Sequence, residues 1–348
     1  MSLSAGDLDT LAAETESGGF ERTSEKTIEG RSLYSLAWRR IRRSRIAMIS
    51  FGFIVLLLLV AIFAPVLTAI EGYGPLQLNN SPDNISQGSQ TLSGPTAGAP
   101  LRFRLPSFEH WLGISPVYGR DIFARLVYGA RVSLTIALLA TLVSVVLGTL
   151  LGAVAAYFRG VVDSVISRLM DLLLAFPQLL LILSLTPILQ GRLGNTFLGK
   201  GSTLPIVSLV IILGFFGWPY LGRIVRGQVL SLREREFVEA ARALGASPGR
   251  IVMKEIIPNV VAVVLIYATL AIPTNITAEA ALSFLGAGVR DPTPSWGQML
   301  NEAQNENWYQ TDPWVMLVPG VALLLTVLAF NLFGDAVRDA LDPRASRG

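Results

Sequence analysis

Six long runs of apolar residues constrain the fold of this chain more than any other feature of its sequence. A helix of about 20 residues, rising 1.5 Å per residue, crosses the roughly 30 Å hydrocarbon layer of a bilayer. The runs do not alternate in polarity as barrel strands do, and lipid admits only helices or closed barrels. The sequence therefore predicts an all-α polytopic membrane protein with six transmembrane helices, at residues 46–70, 132–157, 165–189, 204–221, 260–282 and 314–333.

The composition supports a membrane protein and argues against several other functions. Of the 348 residues, 51% are hydrophobic and only 15% are charged, whereas soluble domains carry about 25% charged residues. The chain has no cysteine and a single histidine, His110, so we expect no disulfide and no thiolate or multi-histidine metal site. The net charge of +3 is small and the arginines flank apolar runs. We therefore expect no nucleic-acid partner, no catalytic residues and no cofactor held by this chain.

The polar segments divide the chain into five parts. Residues 1–35 are polar and acidic, and we expect a disordered cytoplasmic extension because such a segment cannot build a core. Residues 36–70 hold an arginine cluster and the first span, and residues 71–130 form an extracytoplasmic connection rich in glycine, proline, serine and asparagine. The remaining parts are a five-helix core at 131–343 and a tail at 344–348.

The placement of arginine predicts the orientation of the spans. Positive residues favour the cytoplasmic side, so the arginines at 39–45 place the start of the first span there, and six spans return the C-terminus to the same side. The basic residues at 159, 223–254 and 338–347 agree with this orientation. Five external arginines disagree with it: Arg102, Arg104, Arg120, Arg125 and Arg131. Either a connection of about 60 residues escapes the rule, or residues 120–131 lie on a helix leading into the second span.

Proline and glycine within the spans predict local structure. Pro177 predicts a kink in the third span, because proline cannot donate the backbone hydrogen bond of a continuous helix. The spacing of Gly148 and Gly152 predicts close packing of the second span against another helix.

Asp171 and Glu279 are acidic residues in or near the predicted spans. Ionisable groups at such positions often mark a transport pathway. Each of them either lines a pathway or makes helix contacts, and for Asp171 an ion pair with Arg168 near the interface is an equal alternative.

One segment resembles a phosphate-binding loop without meeting its requirements. Residues 194–200 end on a lysine, but position 201 is glycine rather than the serine or threonine that would bind Mg²⁺. The segment also lies between two predicted spans on the extracytoplasmic side. We therefore interpret it as a flexible glycine-rich connection and not as an ATP site.

The connection between the fourth and fifth spans carries the clearest functional signal. One helical face is formed by four apolar residues, Phe237, Ala240, Ala241 and Leu244. Gly245 suits the end of that helix because glycine accepts a positive φ, and Ser247 with Pro248 suits the start of a second helix before Pro258 opens the fifth span. These two short helices either transmit force from a cytoplasmic partner or lie flat in the headgroup layer.

This connection resembles the EAA loop of bacterial ABC-importer permeases. The residues that match are Glu239, Ala240, Ala241, Gly245 and Pro258. Glu255 and Ile257 stand where the family usually has Ile and Leu. In that family the loop docks in a cleft of the ATPase subunit. The resemblance therefore implies that Glu239, Ala240, Ala241 and Gly245 couple ATP hydrolysis to helix movement.

Other segments narrow the resemblance to the C type of the dipeptide, oligopeptide and nickel permease family. They are residues 110–115, 118–134, 171–180, 279–286 and 292–297. The resemblance implies the type I ABC-importer permease fold in a bacterial cytoplasmic membrane. It also implies a second, B-type permease subunit, one or two ABC ATPase subunits that bind ATP and Mg²⁺, an extracytoplasmic substrate-binding protein and membrane lipid as partners.

The resemblance implies import of short peptides by alternating access. Nickel chelates, glutathione and opine-like solutes are alternatives, because permeases of this type carry them as well. An ion-coupled secondary transporter would need ionisable groups near the bilayer midplane and often paired repeats, which the sequence does not display. A non-transporting scaffold would not need the two-helix cytoplasmic element.

Overall fold

The computed structural model describes residues 33–77, 106–116, 119–194 and 203–341. Within these ranges the chain is helical, apart from loops and one isolated bridge between Ile114 and Asp121. Three sequence predictions fall wholly or largely outside them. These concern the disordered extension, the glycine-rich segment after Gly194 and the C-terminal tail.

The helices are numbered here in chain order. They are α1 Leu33–Arg43, α2 Arg45–Ile62, α3 Ala64–Glu71, α4 Ile122–Phe158, α5 Gly160–Ala175, α6 Gln178–Leu193, α7 Thr203–Leu232, α8 Glu236–Ala243, α9 Pro248–Arg250, a π-helical turn at Ile251–Ile256, α10 Ile257–Phe284, α11 Trp296–Asn305, α12 Trp308–Thr311 and α13 Trp314–Leu341.

Five helices in the described part of the chain are long and apolar enough to cross a membrane. They are α2, α4, α7, α13 and the continuous helix from α9 to α10 at Pro248–Phe284. The pair α5 and α6 supplies a sixth span when it is counted as one. These spans confirm the predicted all-α polytopic fold class.

The third span is broken rather than gently kinked. α5 and α6 meet at 94°, and the break falls at Pro177, which precedes the first residue of α6. Proline removes a backbone donor and its ring clashes with the preceding turn. The predicted kink at Pro177 is therefore confirmed in a stronger form.

The second span begins earlier than its apolar run. α4 starts at Ile122, because Asp121 accepts a hydrogen bond from the Ala124 N–H at 2.8 Å and caps the helix. Arg125 and Arg131 therefore lie on the helix that leads into the span, which agrees with the second of the two alternatives for the external arginines. Arg120 lies just before this helix. The helix begins ten residues before the apolar run that starts at residue 132, because the Asp121 cap rather than polarity sets the helix end.

Close approach of α4 and α7 depends on glycine. A Cβ added at Gly148 would lie 2.9 Å from the Trp218 carbonyl oxygen, and one at Gly152 would lie 2.5 Å from the Gly222 carbonyl oxygen. The predicted close packing at this glycine pair is confirmed, and α7 is the partner helix.

Gly152→Ala is expected to lower the free energy of unfolding by about 1–3 kcal/mol, because the added methyl group forces α4 and α7 apart. Thermal unfolding of the detergent-purified protein measures the effect. Gly227→Ala on α7 is the matched control, since a Cβ there meets no atom within 4 Å. Equal melting temperatures for the two variants would contradict a packing role for Gly152.

The two ends of the helix bundle differ in their polar contacts. We call the end that carries α1, the α4–α5 junction and α8 the basic end, and the opposite end the distal end. At the distal end Arg125 donates to Glu302 Oε2 and to Gln298 Oε1, both at 2.6 Å, and Arg120 pairs with Asp291. These contacts, buried at Arg125 and partly exposed at Asp291, tie the start of α4 to α11 and the loop before it.

A second polar cluster at the distal end joins α3 to the start of α4. The Trp111 N–H donates to Glu71 Oε1 at 3.0 Å, and His110 Nδ1 lies 2.7 Å from Asp121 Oδ2. Glu71 is the last residue of α3, beyond the first span. Burial, together with the nearby Asp121 carboxylate, raises the pKa of Glu71 from 4.5 to about 7, although the Trp111 N–H and His110 oppose the shift.

Wild-type stability is expected to fall as the pH rises from about 5 to 8. The raised pKa of Glu71 means that the fold favours the protonated carboxyl, so its stabilisation is complete below the unfolded pKa and is lost as the pH rises through about 7. Glu71→Gln keeps an oxygen for the Trp111 N–H and removes the ionisation, so its melting temperature should vary less over this range. Glu109→Gln, at an exposed neighbouring site, should keep the wild-type dependence, and equal pH profiles for both variants would count against Glu71.

Candidate functional site

The candidate site lies at the basic end, between α7 and α10. After α7 ends at Leu232 the chain forms α8, turns at Gly245 and enters α9. The turn has φ of +79° at Gly245, a conformation that suits glycine. The Gly245 N–H donates to the Arg242 carbonyl and the Ala246 N–H to the Ala241 carbonyl, both at 3.0 Å. These bonds close the end of α8, and the geometry agrees with the predicted helix end.

The second half of the segment differs from the prediction. Ser247 has the extended backbone of a helix cap and Pro248 follows it, but the Ser247 side chain makes no capping hydrogen bond. The helix that begins at Pro248 continues without a break to Phe284. Pro258 therefore does not open the fifth span. It lies in the first turn of α10, after the π-helical turn. Pro258 is thus interior to the continuous helix, and its missing N–H falls directly after the π-helical turn, where the regular α-helical bonding is already interrupted.

The inner face of α8 is held by residues that the sequence pattern did not single out. Val238 is fully buried in one cluster with Ala156 of α4, Val229 of α7 and Ile251 and Ile256 of the π-helical turn. The (i, i+3) spacing of Val238 and Ala241 is the one sequence feature that could have indicated this buried face. This packing joins α8 rigidly to two spans and to the base of a third.

The outer face of α8 carries most of the predicted apolar residues. Phe237 is 38% exposed and Leu244 is 88% exposed, and Ala240 lies between them. We call these three residues the α8 patch. The sequence predicted that these three residues share one helical face with Ala241, and in the structure that face is exposed apart from the half-buried Ala241. Among the coupling candidates, Glu239, Ala240 and Gly245 are exposed beside one another, so the structure brings them together on one surface.

Arginines tie the base of the segment to α4. Arg233 Nη1 donates to the carbonyl oxygens of Ala156 and Tyr157 at 3.0 and 2.9 Å, and so satisfies the last turn of α4. Arg159, just after α4, pairs with Glu234 at 2.5 Å. No sequence signal distinguishes Arg233 from the other arginines, because its partners lie on a distant element. A groove of about 690 Å³ runs beside this base, lined by Leu232, Glu234, Arg235, Glu236 and Phe237.

Asp171 pairs with a different arginine from the one considered. Its carboxylate contacts Arg223 of α7, and Asp163 contacts Arg226 with distances of 2.6 and 2.8 Å. The predicted partner Arg168 lies on α5 itself, whereas both observed partners come from the neighbouring helix. Both aspartates pair with arginines of α7 rather than with Arg168, because the α5 face that carries Asp163 and Asp171 packs against α7.

Glu279 lies far from Asp171 in the chain and in a different environment. Its side chain is fully buried, and Glu279 Oε1 accepts a hydrogen bond from Ser283 Oγ at 2.8 Å. Ser283 Oγ also accepts from the Val289 N–H at 2.9 Å. Glu279 thus stabilises the loop that follows α10, which favours helix contacts over the alternative of a pathway position.

The chain belongs to the family of binding-protein-dependent transport system inner membrane components, which it matches over residues 148–347. Residues 32–88 match the N-terminal transmembrane domain of oligopeptide transport permease C. The family assignment and the helical architecture confirm the importer-permease resemblance of the sequence.

Similar proteins extend this match over most of the chain. The dipeptide transport system permease protein DppC of Alkalihalophilus pseudofirmus is 39% identical over 308 residues, which is 88% of this chain and 89% of that protein. The glutathione transport system permease protein GsiD of Escherichia coli is 38% identical over 307 residues, with the same coverage. The MetNI methionine ABC transporter in an inward-facing conformation shares 23% identity with a TM-score of 0.49, covering 62% of this chain and 96% of that one, and adds nothing to the assignment.

Proposed function

We propose that this chain is the C-type permease subunit of an ATP-driven importer of short peptides, coupled to its ATPases through residues 233–258. The observation that carries the proposal is the α8 patch. It is an apolar surface that projects from an element whose opposite face is buried in the helix bundle. Exposed apolar surface rimmed by charged residues is typical of a protein-interaction site, and the buried opposite face of α8 fixes the patch in position for a partner.

The proposed orientation places the basic end in the cytoplasm. Arginines at α1, at the α4–α5 junction and beside α8 follow the positive-inside rule. Both termini are then cytoplasmic, and the distal end with α11 faces outward. The ATPases would dock at the basic end, and a substrate-binding protein would deliver its cargo at the distal end.

The proposed coupling follows from continuity of the helix. ATPase subunits bind ATP and Mg²⁺, and their closure moves the docked α8. Val238 transmits that movement to Ile251 and Ile256, and the unbroken helix from Pro248 to Phe284 carries it across the membrane. Together with the second permease subunit, this helix would alternate the access of the pathway between the two sides.

The proposed substrate class is the short peptide. The names of the two relatives specify a dipeptide and glutathione, and both are small molecules built on peptide bonds. Nickel chelates and opine-like solutes are the competing substrates. Uptake of radiolabelled dipeptide, glutathione, nickel–histidine and an opine by the complex reconstituted with its own binding protein separates these classes. Uptake of nickel alone would overturn the peptide assignment and leave the permease assignment intact.

The proposed partners are tested by purifying the tagged chain with its native complex. The wild type should retain a second permease and one or two ATPase subunits, identified by mass spectrometry. Glu239→Arg reverses a charge beside the α8 patch and should lose the ATPases while keeping the second permease. Glu109→Arg, at the distal end, is the control and should keep both. Recovery of the wild type alone or as a homo-oligomer would refute the importer assignment.

A further inference from the structure

The helix before the first span presents an unusually basic surface. The seven residues at 39–45 include five arginines, and residues 33–62 contain no acidic residue. Ser44 separates α1 from the first span and caps α2 by accepting from the Ala47 N–H at 3.3 Å. α1 is therefore a separate helix at the mouth of the span rather than its extension.

One side of α1 is fixed against the end of the last span. Ile41 is 7% exposed and packs in a cluster with Ala47 and Ala340, and Arg40 Nη1 contacts the Ala340 carbonyl at 3.5 Å. A crevice of about 240 Å³ on this side is lined by Arg40 and Asp339 among others. The nearby acidic residue thus lies on the packed side of α1. This contact holds α1 level with the basic ends of the first and last spans.

The other side of α1 is exposed and cationic. Arg39 and Arg43 lie one helical turn apart and about 200° around the axis from Ile41, and both are exposed, as is Arg42. The Arg42 guanidinium carbon lies 5.3 Å from the centre of the Trp38 ring, which is itself 40% exposed. Tryptophan and arginine together are typical of the headgroup region of a bilayer.

The residues that follow the basic surface are apolar and exposed. Ile46 is 61% exposed and Ile49 is 72% exposed, at the first turns of α2. A cationic layer is therefore followed within one turn by a layer that suits acyl chains. Phospholipid presents the same order, phosphate above hydrocarbon, whereas a soluble acidic protein or peptide does not.

We propose that α1 lies in the cytoplasmic headgroup layer and binds the phosphate groups of anionic phospholipids through Arg39, Arg42 and Arg43. The proposal rests on the cytoplasmic orientation of the basic end. Because α1 also packs on the last turns of α13, bound lipid holds the first and last spans together at this end of the permease. The importer is accordingly expected to work best in membranes rich in anionic lipid.

The test uses the purified importer complex in nanodiscs made with brominated lipid, which quenches nearby tryptophan. Two equal mixtures of phosphatidylglycerol and phosphatidylcholine are compared, one with the phosphatidylglycerol brominated and the other with the phosphatidylcholine brominated. The fluorescence of Trp38 should be quenched more in the first mixture. The chain has six tryptophans, so the Trp38 signal is the difference between the wild type and Trp38→Phe. The quenching should weaken at high salt, since screening reduces charge attraction.

Neutralising the three arginines should abolish the preference for phosphatidylglycerol. The triple variant Arg39→Gln/Arg42→Gln/Arg43→Gln keeps Arg40 and Arg45 for topology and should lose about tenfold in the ratio of bound phosphatidylglycerol to phosphatidylcholine. The triple lysine variant keeps the charge and should retain most of the preference. Native mass spectrometry of the complexes, counting the retained lipids, provides a readout independent of fluorescence.

Two results would overturn the proposal. The first is equal quenching of Trp38 by both brominated lipids, measured as the difference between the wild type and Trp38→Phe, which requires none of the arginine variants to fold. The second is a preference that emerges only after residues 2–30 are removed. That acidic segment, with Asp7, Asp9 and Glu14 among its residues, would then be the natural occupant of the arginines. Neither result bears on the docking of ATPases at α8, so the permease assignment stands apart from it.

Discussion

An importer carrying Leu244→Glu is expected to lose its ATPase subunits during purification. Leu244 is 88% exposed in this chain and forms the tip of the α8 patch, where a docked partner would bury it. A carboxylate in that position is buried without a counter-charge, which costs about 2–4 kcal/mol at the centre of an interface and corresponds to roughly 30- to 1000-fold weaker binding. Co-purification and ATPase activity of the solubilised complex measure the loss.

Leu244→Met is the matched control for this prediction. Methionine keeps an apolar side chain of similar volume, so the complex should remain intact. The second permease subunit should co-purify with both variants, because α8 lies outside the spans. Retention of the ATPases by Leu244→Glu would show that the patch is not the docking surface, and the headgroup layer would become its expected environment.

Gly245→Val is expected to separate ATP hydrolysis from transport. Gly245 has φ of +79°, where a side chain costs about 1–2 kcal/mol and a β-branched one more. A Cβ at this position meets no atom within 4 Å, so only the backbone is strained. Relief of that strain reorients α8 relative to α9, while the buried Val238 keeps the helix bundle folded. Substrate uptake per ATP hydrolysed should fall about tenfold or more, because a small misplacement at a coupling element has large kinetic effects.

Gly249→Val tests whether the conformation of Gly245 is responsible. Gly249 lies four residues later, also with open space around its Cβ, but in helical rather than left-handed conformation. Its substitution should leave the coupling ratio near that of the wild type. Similar uncoupling in both variants would point to the added bulk on this surface and away from the turn.

The sequence predicted the existence of the spans, because a run of about 20 apolar residues is long enough to cross the bilayer as a helix. The predicted number of six is reached when α5 and α6 are counted as one span. The ends of the helices were harder to predict from the sequence. Asp121 starts α4 well before the apolar run because its carboxylate caps the helix, and the fourth span continues to Leu232 although its polarity changes near residue 221. Caps and tertiary contacts, not hydropathy, decide such ends.

The candidate site was predicted in part. The glycine turn follows from its local sequence, since few residues tolerate positive φ. The orientation of α8 does not, because Phe237 and Leu244 are as apolar as Val238 and only the surrounding helices select which face is buried. The partner of Asp171 likewise could not be predicted from the neighbouring sequence. Arg168 and Arg223 are equally suited in chemistry, and the packing of α5 on α7 chooses Arg223.

The π-helical turn at Ile251–Ile256 lies between α8 and the long span, where it would receive any movement that the proposed ATPase contact imposes on α8. A π turn holds more residues than an α turn, because each N–H bonds to the fifth residue before it rather than the fourth. If these residues pass into α geometry, each donor exchanges one carbonyl for its neighbour, and the segment ahead of them rotates about the helix axis. A docked ATPase could therefore rotate the span about its own axis. The backbone hydrogen bonds of the π-helical turn would be exchanged during this rotation, and none would be left broken at its end.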